Sequence, residues 1–172
     1  MLSRIKQFFL GNFYTIKPFT KHDKMFIFKY LTKDEIYIFN TMKKYDRAHC
    51  LRVSKDLIKL ISTDKSLGEQ EILNIMKASL LHDLGKREGN FYIIDRVLMV
   101  LISERFQNKK YISKYKKLDI YMNHAEIGYK ILKQSKLFSD KVLYMVKNHH
   151  NNKPCDDFQY IISLFQQCDD RN

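Results

Sequence analysis

The chain has little of what builds sheets, disulfide scaffolds or membrane spans. Its 172 residues include only two prolines and five glycines, and no run of alternating β-branched residues is long enough to form a sheet. Three cysteines, Cys50, Cys155 and Cys168, are odd in number and lack zinc-finger spacing. They read as reduced thiols of a cytoplasmic protein. A chain of this length buries roughly 70% of the surface its unfolded form exposes, so it needs no cross-link for stability. The longest apolar run, Val97 to Ile102, falls far short of the roughly 20 residues that span a bilayer. The N-terminal triplet Phe8-Phe9-Leu10 is too short for a secretory signal core. What remains is a helical protein with no membrane partner.

Acidic residues are also scarce: 19 Asp and Glu stand against 31 Lys and Arg, for a net charge of +12. The cluster Lys109, Lys110, Lys114, Lys116 and Lys117 can steer an anionic substrate. However, 24 of the 31 basic residues are lysine, and Ile, Asn, Tyr and Phe are abundant too. These residues share AT-rich codons, so genome composition accounts for much of the excess. The chain also lacks the aromatic-and-glycine pattern of an RNA-binding sheet, and nucleic acid is not the favoured partner.

Apolar spacing is helical nearly throughout, and it predicts helices near 2–10, 21–30, 33–44, 46–62, 68–84, 91–106, 123–134, 139–150 and 157–170. The stretch 107–120 reads as a loop. Residues 1–30, aromatic and basic, read as an accessory helical segment, and 31–172 as the main domain. Asn123 followed by Glu126 has the spacing of a capping box, which puts His124 at the first helical position. Gly85 reads as a helix stop that tolerates the left-handed conformation, and Ser139 and Asp157 as N-caps.

The polar residues on these helices carry the functional signal. His82-Asp83 ends the apolar run Ala78-Ser-Leu-Leu81 and precedes Leu84-Gly85-Lys86. His49 shares a helical face with Val53, Leu57 and Leu60, and His124 with Ile127, Gly128 and Ile131. His149 and His150 share one with Val142 and Val146. Asp169 follows Phe158, Ile162 and Phe165 at helical spacing, whereas Asp170 lines up with Gln159, Ser163 and Gln166. The phase therefore predicts a buried Asp169 beside a solvated Asp170. An ionised carboxylate on an apolar face costs several kcal/mol unless it is paired or bound to metal. Five imidazoles and two carboxylates facing inward from separate helices are more than an ordinary core can satisfy. A shared metal centre satisfies them together.

The arrangement His49, His82-Asp83, Asp169 resembles the HD domain, a superfamily of all-α metal-dependent phosphohydrolases. His49-Cys-Leu-Arg-Val53 is similar to that family's first helix motif and Leu81-His-Asp-Leu-Gly-Lys86 to its defining one. His124-Ala-Glu-Ile-Gly128 and Val146-Lys-Asn-His-His150 resemble segments of two-metal members. The resemblance implies a helical bundle in which His49, His82, Asp83 and Asp169 hold one ion. Asp83 would bridge to a second, held by His124, His149 and His150. It also implies that Asp83 and Lys86 are catalytic, with Lys86 near the substrate phosphate. The Gly-Tyr-Pro signature of the cyclic-di-GMP-cleaving subgroup is replaced by Asn151-Asn-Lys-Pro-Cys-Asp-Asp157, which argues against that substrate.

Mixed imidazole and carboxylate ligands suit manganese, iron, cobalt, nickel or zinc. The expected activity is metal-dependent hydrolysis of a phosphate ester, a nucleotide or related molecule, by a metal-activated hydroxide. Arg47, Arg52, Arg87 and the 109–117 lysines are further candidate phosphate contacts. Two alternatives stay open: an HD-type diiron oxygenase of a small organic substrate, and a basic module that keeps its metal for structure.

Overall fold

The computed structural model describes residues 18–92, 95, 115–151 and 153–172, and among these there are helices and no strands. In chain order they are α1 (Lys21–Tyr30), α2 (Lys33–Asn40), α3 (Lys44–Ile61), α4 (Glu69–Leu81), a 3-10 turn (Leu84–Gly89), α5 (Lys116–Ser135), α6 (Asp140–Asn148) and α7 (Asp156–Arg171). The expected helix over 2–10 and most of that over 91–106 lie outside the described residues, as do Lys109, Lys110 and Lys114.

Local chemistry sets several helix ends. Thr20 and Thr32 form full capping boxes with Asp23 and Glu35, each pair satisfying two amides that the helix leaves over. Ser139 caps α6 as its sequence predicts, accepting from the Val142 amide, and its hydroxyl also donates to Asn74 on α4. The Asp157 expectation fails: α7 begins one residue earlier, after Cys155, with no side-chain cap.

The Asn123 expectation fails more instructively. Helix α5 starts at Lys116, so part of the stretch read as a loop is helix, and Asn123 lies mid-helix with its amide bonded to Asp119 four residues back. His124 is therefore an interior position rather than the first. The early turns of α5 are held by Leu118 and Ile120, which pack with Phe91 in a small cluster of their own. That tertiary contact stabilises a start that local patterning does not show.

The main core lies between α3, α4, α6 and α7. Val53, Leu57, Ile61, Met76, Leu80, Leu81, Val142, Val146 and Phe165 are all buried in one cluster, to which α1 adds Ile27 and Tyr30. On α3 the buried face ends on Ile61, while Leu60 is exposed. Between α3 and α4 the hydroxyls of Ser54 and Ser79 lie 2.8 Å apart, and one donates to the other while the second donates to a carbonyl of its own helix, so neither hydroxyl is stranded.

The 3-10 turn presses against α5 more closely than any side chain would allow. A Cβ at Gly85 would stand 2.0 Å from the His124 carbonyl oxygen and 2.8 Å from the Gly128 amide nitrogen. This corrects the helix-stop reading of Gly85. Its backbone is not left-handed; among the described residues the positive φ values belong to Asn90 and Lys136, which end the 3-10 turn and α5. Glycine serves here as the absence of a side chain between two backbones.

Candidate metal centre

The seven polar residues meet in one place. His82 and Asp83 sit at the junction of α4 and the 3-10 turn, both buried. His49 comes from α3, His124 from α5, His149 and His150 from the end of α6, and Asp169 from α7. His49 Nε2 is 2.8 Å from Asp169 Oδ1 and 3.8 Å from Asp83 Oδ2. His82 Nε2 lies 3.4 Å from the same Asp169 oxygen. On the other side, His124 Nε2 lies 3.3 Å from Asp83 Oδ1 and 3.2 Å from Nε2 of both His149 and His150. Asp83 thus stands between two groups of donors: His49, His82 and Asp83 itself form one, and His124, His149 and His150 the other. Within each group the ligand atoms lie within 4.8 Å of one another.

Helical phase places Asp169 correctly, facing inward with a side chain 17% exposed, while Asp170 is exposed. The end of α7 is tied down rather than loose. Arg52 donates to the Asn172 carbonyl, and the Asn172 amide reaches both Asp56 and the Cys168 carbonyl. Arg52 therefore braces the helix that carries Asp169. Arg87 bonds Thr41 and Glu88, Arg47 bonds Asn40, and Lys117 pairs with Asp95. Lys86 is the cation that reaches the cluster. Its Nζ donates to Asp83 Oδ2 at 2.8 Å and lies 2.7 Å from Oδ1, with the Tyr121 ring 5.5 Å away.

Three imidazoles are aimed by the main chain. His82 Nδ1 is 2.9 Å from the Ser79 carbonyl, His124 Nδ1 2.6 Å from that of Tyr121, and His149 Nδ1 2.7 Å from that of Val146. A carbonyl only accepts, so each of these three rings carries a proton on Nδ1 and turns Nε2 inward. This is the second-shell arrangement that orients metal-ligating histidines. It leaves His124 Nε2 3.2 Å from Nε2 of both His149 and His150, a convergence of nitrogens that a cation would suit. Two buried atoms of the cluster, His82 Nε2 and Asp83 Oδ1, make no aligned hydrogen bond. The residues therefore fit a bound metal: nitrogen and oxygen donors converge, and three of the five rings are aimed at the centre by main-chain bonds.

The electrostatics differ between the two groups. Burial pushes Asp83 and Asp169 upward, yet both are held well below the ordinary carboxylate range. Lys86, His82 and His124 act on Asp83, and His49 and His82 on Asp169. Burial pulls His82 down, but its acidic neighbours outweigh it and raise the imidazole well above its usual value. His149 moves the opposite way, lowered by burial and by the cationic forms of its imidazole neighbours. His150, at the exposed rim, is lowered to about 4 by the same causes. Lys86 is raised despite burial, chiefly by Asp83, and so stays an ammonium.

Some supports were not legible as functional. Phe165 forms the floor, edge-on to His82 at 5.2 Å and stacked on His149 at 6.0 Å. Tyr121 supplies both the carbonyl that aims His124 and the ring beside Lys86. Its spacing of three before a helical histidine was the only available signal.

The family model of the HD domain matches residues 47–163, more than half of the chain, and the chain belongs to that family. Membership places it among metal-dependent hydrolases with an all-α fold. No curated protein and no solved structure matches the chain. The matched span stops six residues before Asp169, which the fold nonetheless brings to His49.

Proposed function

We propose that the protein is a two-metal phosphohydrolase acting on a nucleotide or related phosphate ester. The observation that carries this reading is Asp83. It is a buried carboxylate with imidazole donors on both sides and the Lys86 ammonium against it. In this reading His49, His82, Asp83 and Asp169 hold one divalent transition metal, and His124, His149 and His150 hold another that shares Asp83. Manganese, iron, cobalt, nickel and zinc all suit that donor set. Bound there, the ions polarise a phosphoryl oxygen and lower the pKa of water so that hydroxide is available near neutral pH.

The chain's own residues do the rest. Asp83 fixes the separation of the two ligand groups and holds Lys86 by its carboxylate. Lys86 presents a fixed positive charge where phosphate oxygens gather negative charge in the transition state. Phe165 and the buried α3 and α4 faces close the floor against water. Residues 31–172 form the hydrolase domain in this reading and 1–30 an accessory segment, and the three free thiols suit a cytoplasmic location. No helix among the described residues is long and apolar enough to cross a membrane.

The test is phosphate release from a panel of nucleotides and dinucleotides under anaerobic conditions, with each of the five metals. Turnover in the absence of oxygen that vanishes with a chelator is the expected result. Oxygen uptake by the ferrous protein, without phosphate release from any panel member, would replace hydrolysis with oxidation.

A further inference from the structure

Helix α7 engages both halves of the cluster through residues one turn apart. Asp169 reaches His49 and His82. Gln166, three residues earlier, sends its amide the other way. Its Nε2 donates to the His149 carbonyl at 3.0 Å and to the Asn151 carbonyl at 3.1 Å. Both carbonyls lie past Asn148, the last residue of α6, where helical donors have run out. One amide nitrogen carries two N–H groups, so a single side chain can satisfy both. Being neutral, it does this without adding a charge beside the donors.

We infer that Gln166 is a positioning residue that keys the His149–His150 turn to α7, so that one helix sets both ligand groups. Without it the turn loses its tether to the helix opposite, the His149 Nδ1 bond to Val146 opens intermittently, and His149 and His150 no longer hold fixed directions toward His124. The consequence for metal uptake rests on the two-ion reading above. The placement of the turn does not.

Gln166→Met tests this, because methionine matches glutamine in length and shape but donates nothing. Gln166→Ala serves as a second variant should the thioether crowd the turn, and Gln159→Met makes the same change at an exposed position of α7. Imidazole 15N spectra of the metal-free chain give the first readout. In both Gln166 variants the His149 signal should become an average over tautomers while the His82 signal keeps its wild-type position, and Gln159→Met should match wild type. The second readout is titration with Mn2+ or Zn2+. The weaker equivalent should lose about 10–100-fold in affinity, and the tighter one should not change.

Unchanged His149 signals in the Gln166 variants would overturn the inference. So would parallel changes at His82 and His149, which would mean general loosening. A wild-type chain that binds a single ion would defeat the two-ion reading instead, and the spectra would still decide the role of Gln166.

Discussion

The two sides of the cluster meet the same need in opposite ways. Around His49 and His82, imidazoles are interleaved with carboxylates that favour a protonated His82. Around His124, burial resists protonation of the neighbouring His149 and His150, and the shared Asp83 brings the carboxylate. The first half is thus neutralised by the chain itself, while the second is arranged for something the chain does not contain. A pair of ligand sets can be equally well aimed and still differ in what they cost the empty protein.

The largest expected effect breaks the comparison altogether. Asp83→Ala removes the residue common to both halves, and turnover should fall about 10³-fold or more, the several kcal/mol expected of metal-based charge stabilisation. Metal analysis and kinetics on the same sample check this, and full activity in that variant would defeat the scheme. Removing a donor from one half should separate them. His149→Ala should remove the ion of the His124 group and leave one tightly held ion per chain, and Asp169→Asn should instead weaken the ion of the His49 group by about 100-fold, as read by isothermal titration. Lys86→Ala should spare metal content and lower kcat by about 10–100-fold, since one electrostatic donor to the transition state is lost.

The halves should also part company with pH in the metal-free chain. His149 and His150 have lowered folded pKa values, so their share of stability is present above the ordinary 6.5 and is lost as pH falls toward about 4. His82 has a raised folded pKa, so its share is present below 6.5 and is lost as pH rises through the folded value. Denaturant midpoints should therefore peak near the ordinary imidazole pKa and decline on both sides. Saturating metal should abolish the alkaline decline, because the ion takes the place of the His82 proton. The smallest effect is steric. Gly85→Ala should destabilise the fold by about 1–3 kcal/mol through its clash with the His124 backbone, measured by urea unfolding.

Much of this site was legible because burial has a period. The phase of Phe158, Ile162 and Phe165 picked Asp169 over its neighbour, and the apolar stripe on α6 placed His149 with Val142 and Val146. What could not be read was contact between distant backbones. The start of α5 depends on Leu118 and Ile120 meeting Phe91, and the role of Gly85 depends on a helix some 40 residues later in the chain. Asn123 and Glu126 have the right spacing for a helix start, yet they sit inside a helix, because side-chain capping patterns yield to tertiary packing. Arg52 was read as a phosphate contact, and the structure shows it holding the end of α7. Charge alone does not say which acceptor an arginine will face.

Ser79, Tyr121 and Val146 aim their histidines through carbonyl oxygens, which every residue type possesses. Replacing those side chains would leave the aiming atoms in place, so an alanine scan would report their packing and miss their part in aiming the rings. Sensitivity there should emerge instead from changes that redirect the peptide itself, such as a proline or a one-residue deletion in the preceding turn. In that sense the orientation of the imidazoles is written into helical geometry rather than into the alphabet, and sequence drift can pass through those positions without disturbing it.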